Sequence, residues 1–233
     1  MICAKGFRRT LKFNRFVYCR KPVEKPTMKL DNHPTQAPLY GLVLAGGQSS
    51  RMGQDKSSLQ YFGKTQRQHL VDLLAPFCKE VWVSARAEQA QLWNDGLPYL
   101  IDDADWSDRL KGPILGIYSA MLRFPEAAWL VVACDLPFVD DRALGDLCAA
   151  RDASQLATAY QSPEEGLPEP LIAIWEPAAR VFIDQVIANG LRCPRKILMQ
   201  AQAKLVVPYD ALVISNINYA AEYEAVKNKL KPS

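Results

Sequence analysis

The residues best suited to chemistry lie in one glycine-rich stretch, residues 44–59, which reads LAGGQSSRMGQDKSSL and follows a short apolar run. Gly46 and Gly47 let the backbone approach a ligand closely, so that successive N–H groups can point at one anion. Arg51 and Lys56 supply the positive charges that suit phosphate oxygens. The stretch therefore predicts a phosphate-binding loop, with a solvated surface loop as the alternative.

This loop matches neither the G-x-G-x-x-G dinucleotide pattern nor the G-x-x-x-x-G-K-S/T pattern. Ser49 adds a hydroxyl donor to the same stretch. Arg51 and Lys56 are five residues apart, so on one helix they would lie on different faces. Both can reach a single ligand only if the segment is a wrapped loop.

A second candidate is Asp135, which directly follows the run 128–134, apolar on both faces. A buried, unpaired carboxylate costs free energy, so we expect Asp135 to meet a cation or to cap the following turn. Mg²⁺ prefers one or two carboxylates together with substrate phosphates. Beside a triphosphate loop, Asp135 is predicted to bind magnesium, and capping of the turn before Pro137 is the alternative.

Two weaker groups of polar residues follow other predicted strands. Asp102, Asp103 and Asp105 come after the third predicted strand, and the amides of Asn216 and Asn218 lie at the end of the last one. Solvated side chains are the default explanation for the three acids, with one of them near the sugar or the metal as the alternative. The two amides offer contacts to a metal or to phosphates. The sequence has only two histidines, so neither a His-based triad nor a three-histidine zinc site can be assembled.

The elements that must position these residues alternate along the chain. Apolar, strand-like runs occupy residues 39–45, 80–84, 97–101, 128–134, 155–160, 171–175 and 212–217. Helical patterns occupy 66–77, 114–123, 141–151, 177–188, 194–200 and 219–230. This alternation predicts one α/β domain over 39–230, a mostly parallel sheet with helices on both faces. The glycine-rich loop then begins at the carboxyl end of a strand, where such sheets bind ligands.

Composition limits the classes of function. No apolar run approaches the ~20 residues that cross a bilayer, so we expect no membrane segment. The six cysteines are scattered without a C-x-x-C pair, which favours reduced thiols and a cytoplasmic protein. Residues 1–27 hold eight Lys or Arg and one acid, leaving 20 basic and 24 acidic residues for 28–233. The small excess of acidic residues in 28–233 argues against nucleic-acid binding, which depends on clustered Lys and Arg.

The basic N-terminal segment is excluded from the fold prediction. It superficially resembles an organelle transit sequence, but residues 1–27 contain no serine and little helical amphipathicity. We expect residues 1–38 to be a disordered extension, with Met28 as the natural start. Whether the upstream residues are a gene-model extension or a real arm stays open.

Four motifs in order resemble those of a known family: L-A-G-G-x-S-x-R-M-G-x-D-K, G-P-I-L-G, V-V-A-C-D-L-P-F and a closing N-I-N. Over residues 39–230 the chain is similar to the MobA-like nucleotidyltransferases, specifically the molybdenum cofactor guanylyltransferases. The resemblance implies a three-layer α/β/α Rossmann-like nucleotidyltransferase fold, that of the nucleotide-diphospho-sugar transferases. It also implies transfer of GMP from GTP to molybdopterin or its molybdenum-loaded form, with Mg²⁺ and release of pyrophosphate.

The resemblance also assigns roles to residues. It implies catalytic roles for Arg51 and Lys56 at the phosphates and for Asp135, which would bind the metal. The implied nucleotide and acceptor contacts are Leu44, Ala45, Gly46, Gly47, Ser49, Lys56, Ser84, Asp103, Asn216 and Asn218. CTP-using relatives resemble L-A-A-G, so a glycine at position 46 favours GTP.

Three departures from the family pattern lie toward the acceptor or the sugar. Tyr219 and Ala220 follow Asn218 where many relatives have Thr-Pro, Ser84 stands where several have Asn, and Glu169-Pro170 replaces a His-Pro pair. The implied partners are GTP and molybdopterin, with transient contacts to cofactor-biosynthesis proteins or molybdoenzymes. Two alternatives stay open: a related transferase using CTP or a sugar phosphate, and a non-catalytic nucleotide-binding protein that delivers cofactor.

Overall fold

A computed structural model describes residues 36–46, 56–60 and 63–216, without the side chain of Lys56. These residues belong to the compact unit that begins at Gln36. The strands are β1 (Leu39–Leu44), β2 (Val81–Ala85), β3 (Tyr99–Ile101), β4 (Ala128–Ala133), β5 (Ala157–Gln161), β6 (Pro168–Trp175) and β7 (Lys204–Val206). The helices are α1 (Gln66–Leu74), α2 (Ala87–Trp93), α3 (Pro113–Arg123), α4 (Asp141–Ala149), α5 (Ala179–Ala188) and α6 (Pro194–Gln200).

All these strands form one sheet in the order β3-β2-β1-β4-β6-β5-β7. β6 runs antiparallel to both of its neighbours, and the other pairings are parallel. The chain moves outward from β1 through β2 to β3 and then returns to the other side of β1 as β4. The predicted α/β fold with a mostly parallel sheet is confirmed, and its topological switch point lies between β1 and β4.

Helices cover both faces of this sheet, and each face has its own apolar core. On one face, side chains of α3, α5 and α6 pack around Trp129 and Trp175. On the other face, α1 and α4 pack against alternate residues of the same strands, such as Val43 and Val132. β4 is buried along its whole length, as expected for a strand covered on both faces.

Local sequence sets the starts of several helices. Pro113 occupies the first turn of α3, where its missing N–H costs no hydrogen bond, and Gly112 before it has φ +64°. Asp140 caps α4 by accepting a hydrogen bond from the backbone N–H of Ala143 at 2.8 Å. Pro194 opens α6 at the predicted position.

The prediction of a last strand at 212–217 is wrong over residues 212–216, and residue 217 lies outside the described residues. Residues Ala211–Ile214 form a 3₁₀ turn, because the Asp210 carboxylate accepts the N–H of Leu212 at 2.9 Å and caps that turn. Sequence patterns also missed α2 and β7, both short. The predicted helix at 219–230 and the extension at 1–35 lie outside the described residues, so the domain boundary stays a prediction.

Within the described ranges, no helix is long and apolar enough to span a membrane. Among the cysteines in these ranges, Cys78, Cys148 and Cys193 are free thiols.

Candidate active site

The two strongest candidates from the sequence lie beside each other at the switch point. β1 and β4 are adjacent and parallel, with Leu44 paired to Ala133. The backbone N–H of Cys134 donates to the carbonyl of Leu44 at 3.1 Å, which extends the pairing to the strand ends. The glycine-rich loop and Asp135 therefore leave the sheet at the same edge, from neighbouring strands.

The carboxyl ends of β2 and β3 lie level with the carboxyl end of β1. Leu44 pairs with Ser84, and Ser84 pairs with Leu100. Beyond the strands, the N–H of Ala45 donates to the Ser84 carbonyl at 3.2 Å and the N–H of Asp102 donates to the Ala85 carbonyl at 3.0 Å. Four parallel strands thus bring their carboxyl-terminal residues into one row.

A cavity of about 720 Å³ opens at the ends of β1, β2 and β3. Its described apolar or small lining residues include Leu44, Gly46, Gly112, Pro113 and Leu115. Its polar lining residues include Ser84, Arg86, Asp102 and Lys111. An apolar pocket with a few polar groups is typical of a site for a small organic ligand.

Asp102 is the half-buried acid of this cavity. Its Oδ1 accepts a hydrogen bond from the Ser84 hydroxyl at 3.0 Å, and its Oδ2 lies 3.7 Å from where a Cβ on Gly46 would be. Burial raises the pKa of Asp102 to about 6, while the Ser84 hydrogen bond and the nearby Arg86 charge act in the opposite direction. The carboxylate is therefore partly desolvated and lies beside the glycine-rich loop.

Asp103 lines a different cavity from the one that Asp102 lines. Its backbone N–H donates to Ser119 Oγ at 2.8 Å, and its carboxylate accepts the N–H of Asp105 at 2.9 Å. Asp103 lines a separate cavity of about 400 Å³ together with Trp82 and Arg123. The nucleotide contact implied for Asp103 stays a prediction.

Asp135 is half-buried immediately after β4, with Leu136 fully buried behind it. The Gln66 amide, itself buried at the start of α1, donates to the Leu136 carbonyl at 3.5 Å. Among the described residues, no three His, Cys, Asp or Glu side chains group as a metal site. One carboxylate fits Mg²⁺ when substrate phosphates supply the other ligands.

A further carboxylate begins β6 at this edge. The antiparallel pairing reaches Val132 and Ile172, and three more residues along each strand would put Glu169 level with Asp135. Glu169 pairs with Arg195 of α6 at 3.2 Å and accepts the N–H of Leu171 at 3.1 Å. Burial raises the pKa of Glu169. The pattern E-P in place of H-P was the only sequence signal for it.

Of the remaining predicted site residues, the structure describes Asn216, the backbone of Lys56 and none of the others. Lys56 opens a 3₁₀ turn, Lys56–Ser58, but its side chain is not described. Asn216 is exposed just after the 3₁₀ turn Ala211–Ile214. Outside the described residues lie Gly47, Ser49, Arg51 and Asn218. Their roles stay predictions.

Comparison with known proteins identifies the family. Residues 41–210 match the family model described as the MobA-like NTP transferase domain. The chain belongs to this MobA-like family. It is 38% identical over 204 residues to a molybdenum cofactor biosynthesis bifunctional protein of Synechocystis sp., covering 87% of this chain and 57% of that protein. It is also 30% identical over 194 residues to a probable molybdenum cofactor guanylyltransferase of Mycobacterium bovis, covering 82% and 94%.

A solved structure shares the architecture of this MobA-like chain. The molybdopterin-guanine dinucleotide biosynthesis protein A of Archaeoglobus fulgidus superposes with a TM-score of 0.64 at 23% identity, covering 82% of this chain and 97% of that one. The predicted nucleotidyltransferase fold is thereby confirmed. The Synechocystis relative is much longer than the region it shares, because the chain spans 57% of its length.

Proposed function

We propose that this protein transfers GMP from GTP to molybdopterin, or to its molybdenum-loaded form, and releases pyrophosphate. The observation that carries the proposal is the junction of β1 and β4, where the glycine-rich loop and Asp135 follow the carboxyl ends of adjacent parallel strands. The 720 Å³ cavity is lined by residues at the ends of β1, β2 and β3, including Leu44 at the end of β1. Relatives named guanylyltransferases, at 30% identity over nearly their whole length, support the same chemistry.

The proposed reaction is an in-line displacement at the α-phosphorus of GTP. A terminal phosphate oxygen of molybdopterin forms the new P–O bond, and the bond between the α-phosphorus and the bridging oxygen to the β-phosphate breaks. Pyrophosphate leaves with that oxygen and its electron pair. A phosphate monoester is already nucleophilic at neutral pH, so the site needs no general base.

In this proposal the chain supplies position and charge. Backbone N–H groups of the loop and the Arg51 guanidinium hold the departing pyrophosphate, and Lys56 neutralises charge on the reacting phosphate. Asp135 would bind Mg²⁺, which when bound lowers the negative charge on the phosphates. The cavity at the ends of β1, β2 and β3 would hold the nucleoside.

The acceptor would lie on the β6 side of Asp135. On this side, Glu169 near the start of β6 forms an ion pair with Arg195 of α6. The carboxylate offers hydrogen-bond acceptors and the guanidinium offers donors to a polar heterocycle. We place the reaction in the cytoplasm, which the free thiols of the described residues favour. The proposal includes transient contact with cofactor-biosynthesis proteins or molybdoenzymes that take the product.

The test is a product assay with all four nucleoside triphosphates. The protein is incubated with Mg²⁺, molybdopterin and each triphosphate in turn, and the product is identified by mass. We expect the guanine dinucleotide from GTP alone. A cytosine product would indicate the CTP-using relative instead, and GTP binding without any product would indicate a delivery protein.

A further inference from the structure

We propose that the open edge of the sheet at β3 binds an extended segment of a partner protein, which adds to the sheet as an antiparallel strand. The segment places a large apolar side chain in the groove between β3 and α3, and an acidic side chain two residues later against Arg123. Strand addition takes its affinity from main-chain hydrogen bonds and its specificity from pockets for alternate side chains.

The outer edge of β3 has backbone groups available for pairing. β3 is the last strand on its side of the sheet, and within the described residues no other strand pairs with that edge. The Pro98 carbonyl and the Asp102 N–H both bond to β2, at 2.8 and 3.0 Å. Because successive residues of a strand direct their N–H and C=O groups to opposite sides, those of Tyr99 and Ile101 point away from the sheet.

The composition of β3 leaves this edge open to a further strand. Of the devices that commonly protect a sheet edge, β3 has only its shortness, since its residues, YLI, include no charge and no proline. Ile101 is 44% exposed. A β-branched residue in an added strand would pack against it across the new pair.

A groove runs along this edge on the side of α3. Its cavity of about 400 Å³ is lined by the whole of β3 and by residues of α3 that include Ser119 and Leu122. The rings of Trp82 and Phe124, with centroids 5.4 Å apart, form an apolar wall. Leu100 belongs to the core beneath α3, so the added residue opposite Leu100 directs its side chain into this groove.

The direction of α3 determines which end of the groove carries the positive charge. Gly116 lies against Ser84 at the carboxyl end of β2, whereas Phe124 lies against Trp82 near the amino end of that strand. Arg123 is therefore level with the amino end of β3. An antiparallel segment reaches this end with its later residues, and side chains on one face are two residues apart. The acid therefore follows the apolar residue by two positions.

Arg123 supplies the charge complementarity for such a segment. It is exposed in the last turn of α3 and forms no ion pair within the part of the chain that the structure describes. The acids nearby already have donors: Asp103 accepts the N–H of Asp105 at 2.9 Å, and Glu80 accepts Trp82 Nε1–H at 3.2 Å. A carboxylate from a partner would pair with the Arg123 guanidinium.

The first test measures binding of the acetylated and amidated hexapeptide T-V-F-V-E-T to the full chain. Fluorescence anisotropy gives dissociation constants for wild-type, Arg123→Glu and the matched control Lys196→Glu, an exposed base on α6, which packs on β6. We expect Arg123→Glu to weaken binding about 10-fold and the control to change it less than about 2-fold. A peptide with lysine in place of the acid should instead prefer Arg123→Glu.

Methylated peptides separate strand addition from simple filling of the groove. In an antiparallel pair, the residue opposite Leu100 directs its N–H away from β3, and its two neighbours direct theirs toward β3. Methylating the nitrogens of both valines should therefore weaken binding at least about 10-fold, while methylating the phenylalanine nitrogen should not. Equal losses from the two modifications would overturn strand addition.

Amide hydrogen exchange on the wild-type chain needs no variant that folds. The peptide should slow exchange of the Tyr99 and Ile101 N–H groups, because both become hydrogen-bonded. Binding without slower exchange at these two amides would overturn the proposal. So would tighter binding of the reordered peptide T-E-V-F-V-T, or no binding of T-V-F-V-E-T at concentrations up to about 1 mM.

Discussion

At the residue scale, Asp135 is the group on which the proposed chemistry depends most. Asp135→Asn keeps the size of the side chain and removes its charge, so we expect turnover to fall by about 1,000-fold or more while the fold is kept. Steady-state kinetics with GTP and molybdopterin measure the loss, and circular dichroism checks the fold.

The matched control for that variant is Asp141→Asn, an exposed acid in the first turn of α4. It should keep near-normal turnover and lose only a few tenths of a kcal/mol of stability, because an acid there interacts with the helix dipole. Near-normal turnover in Asp135→Asn itself would remove Asp135 from the mechanism.

The raised pKa of Asp102 gives a pH-dependent prediction. Its folded pKa is about 6, against an unfolded value of ~3.9. Between these values the folded state binds the proton and the unfolded state does not, so the stability contributed by Asp102 falls as the pH rises through this window. Asp102→Asn should therefore have a higher melting temperature than the wild-type protein at pH 7.5, and this difference in melting temperature should shrink toward pH 4.

Thermal melting at constant ionic strength measures this effect, with Asp105→Asn as the control for removing an exposed acid that does not line the cavity. The charged groups lining the cavity beside Asp102 are Arg86, Glu88 and Lys111, and the first of these opposes the shift. An advantage of Asp102→Asn that grows as the pH falls would show that the carboxylate is stabilised, not penalised, by its surroundings.

At the element scale, the packing of α3 against β2 shapes the cavity. A Cβ on Gly116 would lie 2.3 Å from Ser84 Oγ and 3.1 Å from Leu44 Cδ2. Gly116→Ala should therefore destabilise the protein by about 1–3 kcal/mol and weaken GTP binding, because both neighbours line the cavity. Chemical denaturation and calorimetry measure the two effects.

Gly145 in α4 provides the matched control, since its added Cβ would meet only Phe77 at an ordinary 3.8 Å. Gly145→Ala should stabilise the helix by about 0.5–1 kcal/mol. Adding Ser84→Ala to Gly116→Ala should recover part of the lost stability by removing the closest contact. If Gly116→Ala were as stable as Gly145→Ala, α3 would have room to shift.

A buried ion pair joins the segments that follow α4 and β6. Arg151 Nε lies 2.6 Å from Glu176 Oε1, and Arg151 Nη2 donates to Glu176 Oε2 and to the Ala37 carbonyl, each at 2.9 Å. Both side chains are less than a tenth exposed. Arg151→Met should cost about 3–5 kcal/mol of stability, because it leaves the Glu176 charge buried and uncompensated.

Denaturation measures this cost against Lys204→Met, which removes an exposed ion pair with Asp152 at 3.9 Å. That control should cost little stability, because water already screens an exposed ion pair. A comparable loss in both variants would mean that water reaches Glu176 once Arg151 is gone.

At the scale of the whole molecule, the sequence predicted what depends on apolar patterning and on motifs. β4 is continuously apolar, so both its burial and the position of Asp135 after it could be predicted. β7 could not, because two of its three residues are exposed and it exists only through pairing with β5. The acids after β3 were identified as a group, but the sequence did not show which of them lines the cavity with Gly46; in the structure this is Asp102, while the backbone N–H of Asp103 donates to Ser119.

The most direct test of the central claim follows the phosphorus atoms of GTP. The protein is incubated with Mg²⁺, molybdopterin and GTP labelled with ³²P at either the α or the γ position, and the products are separated. Nucleotidyl transfer at the β1–β4 junction predicts that the α label enters the pterin product and the γ label enters pyrophosphate. A γ label on the pterin, or release of inorganic phosphate as the main product, would contradict it.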